Sequence, residues 1–410
     1  MSFSRATAAR GVISRRSAIA LATAAALGLG AGAAHTQEVF KMGGLTSVTG
    51  GGASVGVSST EAWKLAVEDI NANGGILGKN VELIIADSMT DPTHGVSEAR
   101  RLIENEGIGA MVGPVTSQET IPVVAVTTEA GIMQITTAAS STLTPEVGPY
   151  HFSTSVTAAN QMIPNVDYAV DVLGAKHIAI ISDNGGMSKA GVSEIIDYLK
   201  DKKGLEPAAI QEFAFRTEDM TPQLFSLRSA GADAVLFLAS LGDDARKLLE
   251  NRLDIGWDVP VLGNQTMTNY AVGNAKIAGE EAFEGVYSTQ FVGMTYCDGD
   301  PVGESPFAKF VTSARERVAN VDQLGGPASL TPFYIEPMIL AAAINGAGTA
   351  EGPAVAKWLE ENSDKVEPII GPISVSGTNH FMPAAEAIKV VKEPHHVRED
   401  GLTQRADCGM

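Results

Sequence analysis

Short apolar runs alternate with helix-like segments along the first third of the chain. The apolar runs predict strands at 39–45, 81–86, 108–112 and 132–135. Between them, apolar residues recur every three or four positions and predict helices at 58–72, 93–106 and 117–130. Strands that alternate with helices of this length are typical of a parallel sheet covered on both faces.

The same pattern restarts after a break at 155–161. It predicts strands at 177–182, 208–215, 234–238 and 259–262, with helices at 188–202, 222–230 and 243–255. A strand at 285–290 is followed by three helices with no strand between them, at 306–319, 331–345 and 354–362. The two sheets would belong to two lobes. The three helices fit best as a return that covers the first lobe, and the apolar run at 385–391 predicts a late strand of the second lobe.

The fold class is therefore α/β, with two doubly wound parallel-sheet lobes. We expect residues 38–156 and 290–374 to form lobe I, and residues 157–289 and 375–410 to form lobe II. Ligands of open parallel sheets bind beyond the carboxyl ends of the strands. Two such edges that face each other would make a cleft able to close on a small molecule.

The amino terminus has the composition of an export signal. Four arginines precede an uncharged Ala/Gly/Leu run at 17–34, in which Ala31 and Ala33 have the spacing of a cleavage site. The pair Arg15–Arg16 leaves the Sec and twin-arginine routes both open. We expect residues 1–37 to be removed and the mature protein to be periplasmic. No cysteine lies near the cleavage region, so we expect no lipid anchor.

Charge and cysteine content narrow the possible partners. The formal net charge is −19, and loss of the signal arginines makes the mature chain more acidic still. Nucleic acid is an unfavourable partner because phosphate binding needs clustered Lys and Arg. Metal-ligand spacings are absent from the sequence. The two cysteines, Cys297 and Cys408, predict one disulfide in an oxidising compartment, with two free thiols as the alternative.

The segment at 66–78, AVEDINANGGILG, resembles the leucine/isoleucine/valine-binding protein family of periplasmic solute receptors. Further segments follow in the family's order, at 113–114, 136–140, 174–176, 230–235 and 370–372. The resemblance implies two type I binding-protein lobes joined by three crossovers and a monomer without cofactor. It also implies delivery of a small-molecule ligand to an ABC permease complex in the inner membrane.

By this resemblance, the ligand's carboxylate is held in the first lobe by Ser117, Ala138 and Ser140. A helix start at Ser117 would independently supply unpaired N–H groups and a partial positive charge. The alternative is that Ser117 only caps the helix and that Ser140 is a turn hydroxyl.

The side of the site that would hold an amino group departs from the family pattern. Family members that bind amino acids place an acidic residue where this chain has Gln265, and aromatic residues near Met187 and Ser240. A neutral amide cannot match a buried ammonium with charge. Asp183 could supply the missing charge, unless it only forms a turn. We therefore expect a small amino acid or a related carboxylate or amide.

Two other functions compete with a transport receptor. The pattern Gly-x-Ser-x-Gly at 52–56 matches a hydrolase nucleophile elbow and would make Ser54 a nucleophile. A glycine-rich loop before Ser54 and a later helix start disfavour this, and as a receptor the protein would place Ser54 at the cleft border and would not be an enzyme. A ligand-sensing subunit for a membrane receptor would use the same lobes.

Overall fold

The computed structural model describes residues 38–409, together with residues 1, 2 and 4. Nearly all of the predicted export signal therefore lies outside the described residues. The segment Val39–Met410 forms one compact unit. Within it, the strands build two large sheets and one small two-stranded sheet.

The first sheet is parallel throughout and has the strand order β2-β1-β3-β4-β5. Its strands are β1 (Val39–Thr46), β2 (Asn80–Asp87), β3 (Ala110–Val112), β4 (Met133–Thr136) and β5 (His151–Ser153). The helices between them are α1 (Ala53–Ala72), α2 (Pro92–Arg101, continued as a π turn to Glu106) and α3 (Ser117–Ala130).

The second sheet has the order β12-β10-β9-β8-β6-β7 and is parallel except for β12. The later strands are β6 (Ile178–Asp183), β7 (Ala209–Phe213), β8 (Ala234–Leu238), β9 (Val261–Gly263), β10 (Val286–Phe291), β11 (Thr295–Tyr296), β12 (Ile388–Lys392) and β13 (Thr403–Gln404). The helices are α4 (Ala158–Asp167), α5 (Gly186–Tyr198), α6 (Thr221–Ser229), α7 (Gly242–Asp254), α8 (Gln265–Asn269), α9 (Ala271–Ala278), α10 (Pro306–Arg317), α11 (Pro327–Ala347) and α12 (Gly352–Asn362).

The sequence prediction lacks α8 and α9, and it differs from the structure at α1 and α4. α1 begins at Ala53 and not at Ser58, because the chain turns from loop to helix directly after Gly52. The Ser58 hydroxyl then bonds the carbonyl of Ser54 inside the helix. α4 occupies the stretch taken for a break, and the Thr157 hydroxyl caps it by accepting the N–H of Asn160.

The last three helices return to the first lobe, as the pattern indicates. Phe307, Leu340 and Leu359, one from each of α10, α11 and α12, pack in one core cluster with Met42 of β1. Of the described helices, α11 is the one long and apolar enough to cross a membrane, yet 72% of its most apolar stretch is buried inside the fold. Its apolar residues therefore serve the core.

The lobe boundaries remain a prediction, and we propose moving the last of them. His380 and Met382 bond β5 through the pairs Ser153 N–H to His380 O and Met382 N–H to Ser153 O, at 3.0 and 2.9 Å. The chain joins the second sheet only at Ile388, where β12 pairs with β10. Residues 375–382 therefore belong with lobe I.

The carboxyl-terminal tail is fastened in two ways. Cys297 and Cys408 form a disulfide with a Cα–Cα distance of 5.6 Å, across 111 residues of sequence. β13 pairs with β11 beside the disulfide, and Leu402 packs into the core cluster of α10–α12.

Replacing Cys408 by Ser should destabilise the protein, because the cross-link lowers the conformational entropy of the unfolded chain. The chain-entropy estimate for a loop of this size is about 4.7 kcal/mol, an upper figure here since β13 also holds the tail. Denaturant unfolding of C408S and of the parent, each with and without reductant, measures the difference. The parent should respond to reductant and C408S should not; equal unfolding free energies of the two oxidised proteins would contradict the prediction.

A carboxyl group is buried in the core of the first lobe. Glu336 on α11 is fully buried, and its Oε2 accepts the indole N–H of Trp63 at 2.6 Å. Its other oxygen, Oε1, has no hydrogen-bond partner among the described residues. Burial raises the pKa of Glu336 well above its usual value, and the Trp63 bond offsets only part of this.

Glu336 should make stability fall as pH rises. The folded-state pKa is the higher one, so between the unfolded value near 4.3 and the folded value the folded protein holds a proton that unfolding releases. Stability is then fullest below that window and decreases by up to about 1.4 kcal/mol per pH unit within it. Glu336→Gln should flatten this dependence in unfolding curves from pH 5 to 8; equal slopes would refute it.

Candidate ligand-binding site

A cleft of about 680 Å³, including its open mouth, lies where the strands of both sheets end. Thr137 follows β4, Thr154 follows β5, Ser240 follows β8 and Asn264 follows β9, so strand ends supply much of the wall. None of the lining residues is charged. They are Val55, Val115, Thr116, Ser117, Thr137, Thr154, Ser155, Gln161, Met187, Ser240, Asn264, Gln265, Thr266, Asn269, Tyr270, Phe291, Ser329, Pro332 and Phe333.

The first-lobe wall centres on the start of α3. The turn before it contains Gly113 with φ +77°, where a Cβ atom would lie 2.1 Å from the carbonyl oxygen of Leu45. Only glycine fits there, and the turn it allows brings Thr116 and Ser117 to the cleft. The first N–H groups of a helix have no acceptor within the helix, so α3 presents donors and a partial positive charge at this point.

The Ser117 hydroxyl differs from its neighbours in the same wall. Its oxygen accepts the N–H of Ala139 at 3.0 Å, and no described residue accepts its proton. The hydroxyls of Thr137, Thr154 and Ser329 instead donate to backbone carbonyls. Ser117 therefore has a proton available for a ligand that accepts hydrogen bonds.

A buried glutamate lies behind this wall. Glu119, in the first turn of α3, is fully buried and accepts the hydroxyls of Thr116 and Ser47. Burial raises its pKa, against the opposing effect of these hydroxyls and of Ser88. A higher pKa keeps Glu119 neutral over a wider pH range, which lowers its competition with an anion for the helix end.

The second-lobe wall is an amide network. The Asn264 side chain bonds the backbone of Ala239 and donates to Gln161 Oε1 at 3.3 Å, and Gln161 in turn donates to Ser155 at 2.9 Å. This chain of hydrogen bonds runs from the end of β9 through α4 to the segment after β5. Next to it, Gln265 is 5% exposed, and its amide nitrogen has no described partner.

The structure brings five of the eight predicted ligand residues to this cleft or its border. Ser117, Gln265, Met187 and Ser240 line it, and Ser54 neighbours the lining residue Val55. Three lie behind the wall, where their polar groups already have partners. They are Ala138, Ser140 and Asp183.

The partners of these three explain the difference. Ala138 bonds Thr136 and Ser153, and the Ser140 hydroxyl pairs with Thr142 at 2.9 Å. Their segment supports Ser117 through Ala139 and does not face the cleft. Asp183 is fully buried and accepts the N–H groups of Gly185 and Ser240, at 2.9 and 2.6 Å. Although burial raises its pKa, its position is that of a turn-former.

The nucleophile elbow suggested by Gly-x-Ser-x-Gly is not formed. Ser54 is the second residue of α1, and a loop of several residues separates it from β1. Its hydroxyl has no hydrogen-bond partner within residues 38–409, so no base is placed to activate it.

Sequence reasoning missed the apolar side of the cleft. Tyr270, Phe291, Phe333 and Pro332 line it, which gives the pocket aromatic walls. Phe291 directly follows the predicted strand at 285–290. The other three lie in or beside helices, and how the lobes pack decides which of their side chains face the cleft. Gln161 was missed because α4 was missed.

The chain matches a known protein family. The sequence profile of the family described as "Periplasmic binding protein" matches residues 39–392. The chain belongs to the periplasmic binding protein family. Membership implies an exported solute-binding protein, while the export route stays a prediction.

Named relatives cover most of the chain. An amino acid binding protein of Pseudomonas aeruginosa is 28% identical over 79% of this chain and 82% of its own length. A Leu/Ile/Val-binding protein homolog 3 of Brucella melitensis is 28% identical over 82% and 87%.

Solved structures share the fold and differ in ligand. The branched-chain amino acid transporter substrate binding protein LivJ of Streptococcus pneumoniae, in complex with isoleucine, matches with a TM-score of 0.71 at 21% identity, over 89% of this chain and 98% of its own. A solute-binding protein of R. palustris in complex with 4-hydroxybenzoate has a TM-score of 0.74 at 18% identity, covering 89% and 95%.

Replacing Ser117 by Ala should weaken binding of a carboxylate by about 1–3 kcal/mol, since it removes one charge-assisted hydrogen bond. Ser140→Ala is the matched control, because Ser140 is also buried but its hydroxyl pairs with Thr142. Calorimetry with the tightest ligand from a thermal-shift screen of carboxylates and amino acids measures both. Equal affinities of S117A and the parent would remove Ser117 from the site.

Proposed function

We propose that this protein is a periplasmic receptor that captures a small carboxylate in the interlobe cleft and delivers it to an ABC importer. The observation that carries the proposal is the pairing of one donor-rich helix end, at Ser117, with a cleft wall that contains no charged side chain. Family membership supports capture and release of a solute over catalysis.

The α3 end suits an anionic group. Its free N–H groups and the Ser117 proton can all donate to a carboxylate, and such charge-assisted hydrogen bonds are the stronger kind. Burial raises the pKa of Glu119, which lowers its competition with a ligand anion for the same helix end.

The rest of the cleft suits an apolar body. Tyr270, Phe291 and Phe333 supply aromatic surface, and Met187 adds an adaptable thioether. Relatives with this fold include both an isoleucine complex and a 4-hydroxybenzoate complex. Branched aliphatic and aromatic acids are therefore the ligand classes that we propose.

The Gln265 wall argues against an α-ammonium group. A buried ammonium needs a carboxylate or several acceptors, and this wall offers a neutral amide with an unpartnered nitrogen. An amide nitrogen donates, so it fits a hydroxyl, carbonyl or carboxylate oxygen of the ligand. We infer that the preferred ligand lacks a charged amino group at this position.

Gln265→Glu tests the inference by reversing a preference. The parent should bind 4-methylpentanoate more tightly than leucine, and Q265E should bind leucine more tightly, with a change in their affinity ratio of about tenfold or more. Calorimetry with both ligands on both proteins measures the ratio. Gln265→Met is the control, since it removes the amide without adding charge and should shift both affinities in the same direction.

The opposite preference of the parent protein would contradict this inference. If the parent binds leucine more tightly than its deaminated acid, the cleft recognises an ammonium group without a carboxylate at Gln265. The proposed ligand class would then be wrong, although the receptor function would stand.

A further inference from the structure

The short helix α8 brings a second amide side chain to the cleft. Its last residue, Asn269, lines the cleft and is 8% exposed. Gln265 lies one turn earlier and lines the cleft as well, so the two amides share one face of the helix. The proposed function gives a role to Gln265 alone.

Hydrogen bonds fix the orientation of the Asn269 amide. The backbone N–H of Phe291 donates to one end of the Gln290 side chain at 2.9 Å, so that end is the oxygen, Oε1. The other end of Gln290 is therefore its nitrogen, which donates to Asn269 Oδ1 at 2.9 Å. The oxygen of Asn269 is thus occupied, and the free end of its amide is the nitrogen, Nδ2.

The Nδ2 atom of Asn269 is a donor available to the cleft. It has no hydrogen-bond acceptor within residues 38–409, and it is not among the unpartnered polar atoms that the fold seals from solvent. Because Asn269 lines the cleft, a ligand bound there can reach this nitrogen. A ligand that is apolar at this point would leave the donor buried and unpaired, which costs free energy.

The donor is held rigidly in place. The Thr268 hydroxyl donates to the carbonyl of Thr289 at 3.0 Å, next to the bond between Asn269 and Gln290. Two consecutive residues of α8 are therefore fastened to two consecutive residues of β10. Gln290 itself is only 1% exposed. A donor that is already oriented loses little conformational entropy when a ligand binds.

From this arrangement, we propose that Asn269 is a specificity-determining residue that binds an uncharged acceptor oxygen in the body of the ligand. The proposal rests on the proposed function in one respect, because the same ligand has its carboxylate at Ser117. It deepens that function by naming the ligand class. The class is a carboxylate whose otherwise apolar body carries one further carbonyl or hydroxyl oxygen.

The surroundings of Asn269 favour an uncharged oxygen over a second carboxylate. None of the residues that line the cleft is charged, so a second carboxylate away from the α3 start would be buried without a cationic partner. Asp183 lies behind the lining residue Ser240 and accepts its N–H at 2.6 Å, which makes this part of the wall still less suited to an anion. A carbonyl or hydroxyl oxygen needs only one donor, which Asn269 provides.

Calorimetry with two matched ligand sets tests the proposal. One set compares hexanoate with oxohexanoates that carry the carbonyl at different carbons, and the other compares 3-phenylpropanoate with its ring-hydroxylated analogues. In at least one set, the parent should bind an oxygenated member about fivefold or more tightly than the plain acid. Asn269→Leu keeps the approximate size of the side chain, removes the donor, and should bring this ratio close to one.

Asn274→Leu is the matched control. Asn274 is 7% exposed and lies on α9, and its Nδ2 donates to the carbonyl of Gly242 at 2.8 Å, outside the cleft. N274L should therefore lose stability, as N269L does, but keep the ligand ratio of the parent. Gln265→Met separates the two amides of α8. If Q265M removes the preference and N269L does not, Gln265 binds the oxygen and the proposal is wrong.

Asn269→Asp identifies the kind of oxygen. An ionised Asp accepts hydrogen bonds but cannot donate, so N269D should lose a preference for a carbonyl and keep a preference for a hydroxyl. Either result, together with the loss in N269L, supports the proposal.

The remaining outcomes separate this proposal from the proposed function. Equal affinity of the parent for plain and oxygenated acids would overturn the role of Asn269 and leave the carboxylate receptor intact. Binding of butanone or phenol that N269L abolishes, without binding of any carboxylate, would retain the role of Asn269 and overturn the proposed function. If the parent binds no member of any set, both are wrong.

Discussion

The site depends on the parallel pairing of strands within each lobe. β1 pairs in parallel with both β2 and β3, and β8 does the same with β6 and β9. Parallel strands end at one edge, so every loop that leaves a strand's carboxyl end emerges at the same side of its sheet. The cleft is the space between these two edges, so its wall combines residues that follow strands, such as Thr137 and Asn264, with residues of the neighbouring helices.

Electrostatics then gives the two edges different roles. The first-lobe edge carries the start of α3 and a hydroxyl with a free proton, at Ser117, so it favours an acceptor. The second-lobe edge carries amides, and its acids Asp183 and Asp244 are buried behind it.

Much of this architecture can be predicted from the sequence. The start of α3 was predicted at Ser117, which is where the structure begins this helix. β12 was placed in the second sheet from its apolar run alone, although its antiparallel direction was not predicted. Local patterns are sufficient where the element buries one continuous face.

Other features depend on contacts that no local pattern encodes. Ala138 and Ser140 turn away from the cleft because Ala139 bonds Ser117 across 22 residues of sequence. Tyr270 reaches the cleft only because Gly242 and Gly325 leave room for its ring. Both depend on how distant segments pack.

The most direct test of this account is a crystal structure of the mature protein with its tightest-binding carboxylate. We predict the carboxylate at the start of α3, with an oxygen about 2.5–2.7 Å from Ser117 Oγ and the apolar body against Tyr270 and Phe333. A ligand bound in the reverse direction, with its carboxylate at Gln265, or bound outside the cleft would contradict the central claim.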